Sequence, residues 1–192
     1  MGLSVVTPAA KCPVSLQEMK DHMRVDHDDE NAVIQGFIAS ATEYVGSVAK
    51  RQFVQATYDY TLDGFPSGCR MVLPRTPLVS VASITYIDTD GVSQTFSSSL
   101  YNVKTDTVIG SVDLAYNEAW PSTRGDVDSV TVRFVAGYAD IATVPHAVKT
   151  AIKLLAAHWH EHRESVVVGT IATNLPMAVD SLLDTVRVLE VH

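Results

Sequence analysis

The feature that most constrains this chain is a double change of hydrophobic period. Val33, Ile34, Phe37, Ile38, Ala41, Tyr44, Val45 and Val48 recur at helical spacing and make one wide apolar stripe. From Phe53 to about Tyr138 the period is two: Val130, Val132 and Phe134 alternate with Thr131 and Arg133, and Ile84 and Tyr86 alternate with Thr85 and Ile87. Helical spacing then returns at Val148, Ile152, Leu155 and Trp159. Two helical stripes flanking a β-rich stretch predict an α+β chain. Its expected form is a small helical bundle with a β-rich insertion, a small sandwich or open barrel, between the long helices. The expected division is 1–52 helical, 53–140 β-rich and 141–192 a closing helix with a tail, the helical parts sharing one core. Phe37, Ile38, Ile152, Leu155 and Trp159 are the expected residues of that helix-packing core.

Local signals place the elements. Ser15-Leu16-Gln17-Glu18 reads as a capping box, with Val14 and Met19 at staple positions, so a first helix is expected from Leu16 to about Arg24. Asp26-His27-Asp28-Asp29-Glu30 should open the longer helix, with Asp26 or Asp28 as its cap and the other acids facing the positive end of its dipole. Asp88-Thr89-Asp90-Gly91 is a hairpin signal, and turns are marked at Asp63–Pro66, Pro74–Pro77 and Trp120-Pro121. Pro145 suits a helix start, and Pro176 a last short helix through Leu182 and Leu183. Ser165 to Thr173 reads as a β-branched linker.

Composition narrows the function. A chain of 192 residues with 46% hydrophobic and 19% charged residues can bury a core. The formal charge of −8 argues against a surface that grips phosphate, which needs clustered Lys and Arg. The stretch from Phe53 to Asp140 carries ten acids against five bases, a balance of −5, and like charge of this kind lowers non-specific affinity for a phosphate backbone. Cys12 and Cys69 make no CxxC pair and no disulfide framework, so a reducing compartment is expected. The first residues have no basic start followed by a long apolar run, and no stretch reaches the roughly 18 apolar residues of a membrane helix.

Catalytic motifs are missing. There is no GxSxG elbow, no glycine-rich phosphate loop and no HExxH pattern. His158 and His162 are four apart and share a helix face, so they could both ligate zinc, with Asp140 or His146 as a third ligand. Two histidines at a helix end more often serve as polar capping groups, and no metal or cofactor is expected. The run Asp26 to Glu30 lacks the central Gly and the final acid of a calcium loop. Tyr44, Tyr86, Trp120 and Trp159 read as core. The competing functional readings are a metal-dependent hydrolase using His158 and His162, and a free-standing ligand-binding β module.

Several segments together resemble the head–tail connector family of tailed bacteriophages, also called adaptor or head-completion proteins. They are Val25–Glu30 leading into an Ile/Ala-rich helix, Leu62-Asp63-Gly64-Phe65-Pro66, Leu73–Leu78, Ser83–Tyr86 with Asp90-Gly91, and Phe134–Tyr138. Val144-Pro145 with Ala151–Trp159, and the segment ending Arg163-Glu164, complete the series. The resemblance spans about residues 16 to 183 and departs at His160 and His162, where the pattern has an aromatic and an Asn. It leaves out the N-terminal dozen residues and the final tail. It implies a non-enzymatic virion protein at the neck, assembled in the host cytoplasm. Implied partners are itself, in a ring of about a dozen copies, the portal protein above, the next neck or tail-completion protein below, and DNA passing without specific binding. No membrane is implied.

The chain end is unusually apolar. Val179, Leu182 and Leu183 share a helical face, and Val186, Val188, Leu189 and Val191 follow. Thr185, Arg187 and Glu190 alternate with the apolar residues, which fits an extended strand added to a neighbour's sheet edge. Leu182, Leu183, Val186, Val188, Leu189 and Val191 are therefore expected to dock on the portal or a neighbouring subunit, the alternative being that Leu182 and Leu183 fold back on their own subunit.

Overall fold

The computed structural model describes residues 1–162 and 177–188. It is an α+β chain of two compact units. The β unit comprises Met1–Ala10 and Val54–Ala139; the helical unit comprises Lys11–Phe53 and the described residues from Asp140 onward. The insertion thus lies one residue inside the expected 53–140. The larger difference is at the start of the chain, where the first ten residues, expected with the helical part, belong to the β unit.

In the β unit, β1 (Gly2–Thr7), β2 (Ala56–Leu62), β8 (Val130–Ala136), β4 (Leu78–Ile87) and β5 (Ser93–Thr95) form a five-stranded sheet in the order β1-β2-β8-β4-β5. The strands β3 (Arg70–Val72), β7 (Ser111–Leu114) and β6 (Tyr101–Lys104) form a three-stranded sheet in that order. All pairings are antiparallel. Both sheets contribute to one core, as the sandwich expectation requires, and no closed barrel forms among the described residues. The period of two explains which side chains go in. Val130, Val132, Phe134 and Ala136 of β8 have no exposed surface, while Arg133 between them points out. Tyr58 stacks on Phe134 at 5.5 Å, and Phe65, Tyr86, Phe96 and Trp120 extend the core as an aromatic cluster. Phe65 and Trp120 lie nearly parallel at 4.9 Å, and the indole N–H donates to the Gly68 carbonyl at 2.8 Å. The expected hairpin joins β4 to β5, with Gly91 at φ +83°. Gly137, at φ +116°, brings its backbone so close to Val54 that a Cβ would lie 2.5 Å from the Val54 carbonyl oxygen.

In the helical unit, α1 (Leu16–Met23) opens with the expected capping box. The Glu18 amide donates to Ser15 Oγ at 3.2 Å, and the Ser15 amide to the Glu18 carboxylate at 2.9 Å. That bond is the main cause holding the Glu18 carboxyl below its ordinary range. Val14 and Met19 are buried. The long helix α2 (Asn31–Ala49) begins later than expected. Its N-cap is Glu30, which makes no side-chain cap, and neither Asp26 nor Asp28 caps it. Asp28 is engaged elsewhere: the buried Lys20 ammonium donates to it at 2.7 Å and the Asn31 amide at 3.1 Å. Ile34, Ile38, Ala41, Val45 and Ala49 are the buried stripe, narrower than expected, and Val33 is 42% exposed. Pro145 is the N-cap of α3 (His146–Glu161), whose Val148, Ala151, Ile152, Leu155 and Ala156 are buried. The short α4 (Met177–Asp184) contributes Val179 and Leu183 to the same unit's core. The expected linker at Ser165–Thr173 lies outside the described residues. No described helix is long and apolar enough to cross a membrane.

Candidate assembly surfaces

Of the five residues expected to pack the helices, Ile38, Ile152 and Leu155 are at most 2% exposed. Phe37 and Trp159 are only half-buried. They lie on the flanks of the stripe: Phe37 meets the edge of the His160 ring at 6.2 Å, and Trp159 meets Tyr44 at 6.3 Å. Phe37 is thus not the fully packed residue that the period suggested. Tyr44, Tyr86 and Trp120 are likewise half-buried, each against another aromatic ring.

The histidines split by helical phase. His160 Nε2 lies 2.9 Å from the Glu30 carboxylate, tying the end of α3 to the start of α2. Glu30 was legible only as one acid of a run, because its partner is 130 residues away. The His158 and His162 rings sit 4.6 Å apart, as the four-residue spacing predicts. His162 is the C-cap of α3: its amide donates to the His158 carbonyl at 3.0 Å and its Nδ1 lies 3.1 Å from the same oxygen. Asp140 caps the turn at Ile141–Thr143 by accepting from the Ala142 amide at 2.9 Å. Among the described residues, no three His, Cys, Asp or Glu side chains are gathered as a metal site.

The acids of the β unit divide into paired and exposed. Arg133 donates to Asp59 through two nitrogens at 2.8 and 2.7 Å, and Arg70 to Asp113 at 2.8 and 3.0 Å, with Lys104 at 3.3 Å. These arginine bonds hold both carboxyls below the ordinary range. Asp88 is also lowered, by the Gln94 amide and the Val92 N–H within the hairpin. Arg124 pairs with Asp126 at 3.1 Å. Asp90, Asp106, Glu118 and Asp128 are exposed, so these four carry much of the unit's excess negative charge.

The chain end divides too. Leu183 is fully buried and Val188 is 7% exposed. The Val188 amide donates to the Ala49 carbonyl at 3.1 Å, and the amides of Val186 and Arg187 both return to the Leu183 carbonyl. Leu183 and Val188 are therefore core residues of their own unit and not an outward arm. A turn at 185–186 replaces the extended strand expected there. Leu182 and Val186 remain half-exposed, while Leu189 and Val191 lie outside the described residues.

At the other end of the sequence, β1 is exposed at every residue, and Met1, Leu3, Val5 and Val6 are among the exposed large apolar side chains. Sequence reasoning passed over this strand, although Leu3 and Val5 alternate with Gly2 and Ser4.

Residues 14–188 match the sequence model of the head completion protein family. The chain belongs to that family. The resemblance, which spans about residues 16 to 183, is thereby borne out, and a head completion protein is a structural component of the head–tail junction. Neither the hydrolase nor the ligand-binding module gains support. No curated protein matches the chain by sequence. Solved structures match it along its whole length. One is a chain in the virion of a native gene transfer agent (GTA) particle, with TM-score 0.84 and 21% identity, covering 100% of this chain and 98% of that one. Another comes from the neck of an empty GTA particle computed with C6 symmetry, with TM-score 0.82, 21% identity and the same coverage. A third is from the neck of a native GTA particle computed with C12 symmetry, with TM-score 0.80, 20% identity and the same coverage. At such identity the likeness establishes that this head completion protein shares their fold.

Proposed function

We propose that this head completion protein assembles as a homo-oligomeric ring in the virion neck, below the portal and above the next neck or tail-completion protein, and that DNA passes through its centre. The observation that carries the reading is the family match over residues 14–188. The fold shared with GTA chains, two of them from necks computed with C6 and C12 symmetry, favours a ring. The reading includes no enzymatic step and no cofactor. The exposed acids Asp90, Asp106, Glu118 and Asp128 suit a lumen that repels the phosphate backbone. Particle imaging tests the placement. Density for this chain as a ring at the neck is expected, and density at the tail tip would overturn it.

Portal docking, in this proposal, falls to Leu182 and Val186 with Leu189 and Val191. Leu183 and Val188 instead anchor the base of the tail, Leu183 by its buried side chain and Val188 through its amide on the Ala49 carbonyl. The test is a truncation beginning at Leu189, beside the double variant Leu182→Lys/Val186→Lys. Both should fold with near wild-type melting and fail to attach to DNA-filled heads. Normal attachment of both would refute the docking role.

A further inference from the structure

The five-stranded sheet has two free edges, β1 and β5, with no further strand beyond either among the described residues. An open edge presents unpaired N–H and C=O groups and is a template for another chain. Proteins that stay apart protect such edges with charges, prolines, bulges or cover. Here β1, Gly-Leu-Ser-Val-Val-Thr, and β5, Ser-Gln-Thr, carry no charge and no proline. The one irregularity in β1 lies between Val5 and Thr7, which leaves Gly2 to Val5 in regular register with Thr61 to Tyr58. Every residue of both strands is exposed.

Side-chain placement repeats the signal. Leu3 and Val5 stand opposite Tyr60 and Tyr58, so they lie on the apolar face of the sheet, the face that elsewhere builds the core. The unit covers them only in part: Leu3 is 39% and Val5 58% exposed. At the other edge, Val92 immediately before β5 is 53% exposed. The two edges are thus alike: uncharged, with an apolar side chain left in water on a chain of net charge −8. Pairing through these strands sets no charged residue of β1 against a charged residue of β5.

Strand directions fix the geometry. Successive neighbours across the sheet are antiparallel, so β1 and β5 run the same way. A copy rotated about a ring axis therefore presents its β5 parallel to the β1 of the next. One donor edge and one acceptor edge per subunit is a heterologous contact, the kind that closes into a ring when the rotation allows.

We propose that β1 of one copy pairs with β5 of the next, so that the five-stranded sheet continues from subunit to subunit around the ring. This rests on the ring reading above. It assigns Leu3, Val5 and Val92 to the subunit interface and gives the chain segment before the family-matched residues a role in closure.

The test uses full-length chain in assembled particles, with Cys12 and Cys69 replaced by serine and cysteines introduced by Val5→Cys and Gln94→Cys. A short bis-maleimide cross-linker tolerates a one-residue uncertainty in register. Subunits carrying both cysteines should give a ladder of covalent oligomers on a denaturing gel, and a mixture of the two single variants should stop at dimers. Separately, Leu3→Lys/Val5→Lys should stay folded, because neither side chain is buried, and should lose ring assembly. A ring visible at the neck with no ladder, or with normal assembly of the lysine variant, overturns the β1–β5 contact and leaves the ring reading standing. Wild-type particles that carry the chain without a ring overturn the ring reading and this proposal with it.

Discussion

Two strands of one sheet, β8 and β1, have opposite fates. The inward side chains of β8 are sealed between β2 and β4 on either side and the small sheet's residues across the core, and Val130, Val132, Phe134 and Ala136 are fully buried. The strand β1 pairs antiparallel with β2 as β8 does and has comparable β propensity, yet none of its residues is buried. Sequence pattern makes a strand in both cases; only the neighbours decide whether its apolar groups contribute to stability. A strand that forms without fully burying its apolar residues is left with the remaining surface to offer to something else.

The sharpest way to break this contrast is paired truncation. Phe134→Ala removes a fully buried ring stacked on Tyr58 and should cost about 3–5 kcal/mol, whereas Val5→Ala should fall within about 0.5 kcal/mol of wild type in the isolated subunit. Denaturant unfolding measures both; similar losses would mean that β1 is buried in solution. An intermediate case comes from the helical unit. Phe37 is half-buried against His160, so Phe37→Ala should cost about 1–2 kcal/mol, less than a fully packed phenylalanine. A loss equal to that of Phe134→Ala would show a tighter helix core than the flank position implies.

The smallest effect concerns the outward face of β8 itself. Asp59 is held below its ordinary pKa by Arg133. A depressed carboxyl contributes stability that is fully present above the unfolded value, about 3.9, and is lost as pH falls through the folded value. Wild type should therefore exceed Asp59→Asn in denaturation midpoint at pH 7, and the gap should close below about pH 4. A gap constant across that range would remove the ion pair from the account.

Much of the architecture was legible because periodicity is a local signal. The double change of period located the helices and the β insertion, Ser15 and Glu18 marked α1, and Asp88–Gly91 marked the β4–β5 hairpin. What was not legible depended on partners far along the chain. Asp28 looked like a cap for α2, but Lys20 claims its carboxylate. Glu30 gains its meaning from His160. Phe37 has the right spacing for the core but sits on its flank. Val188 continues an alternating pattern, yet its amide is fixed by Ala49. The strand β1 was missed because six residues without a recognised partner give a weak signal, and that partner, β2, begins only at Ala56. Of the expected docking residues, Leu183 and Val188 turned inward, because alternation alone does not say whether an apolar face meets its own subunit or another.

The interleaving of the two units also sets an order of events during synthesis. The strand β1 is made before β2 and cannot pair until β2 has emerged, and β2 in turn lacks its other neighbour until β8 is made. The helix α2, made between β1 and β2, must wait longer still for α3. Neither unit can be completed by the first half of the chain, so nascent intermediates expose uncharged, β-prone segments while most of the polypeptide is still being translated. Long-range closure of this kind slows folding and raises the risk of premature association. A contiguous fragment spanning Val54 to Ala139 would lack β1 and expose the outer edge of β2 in its place.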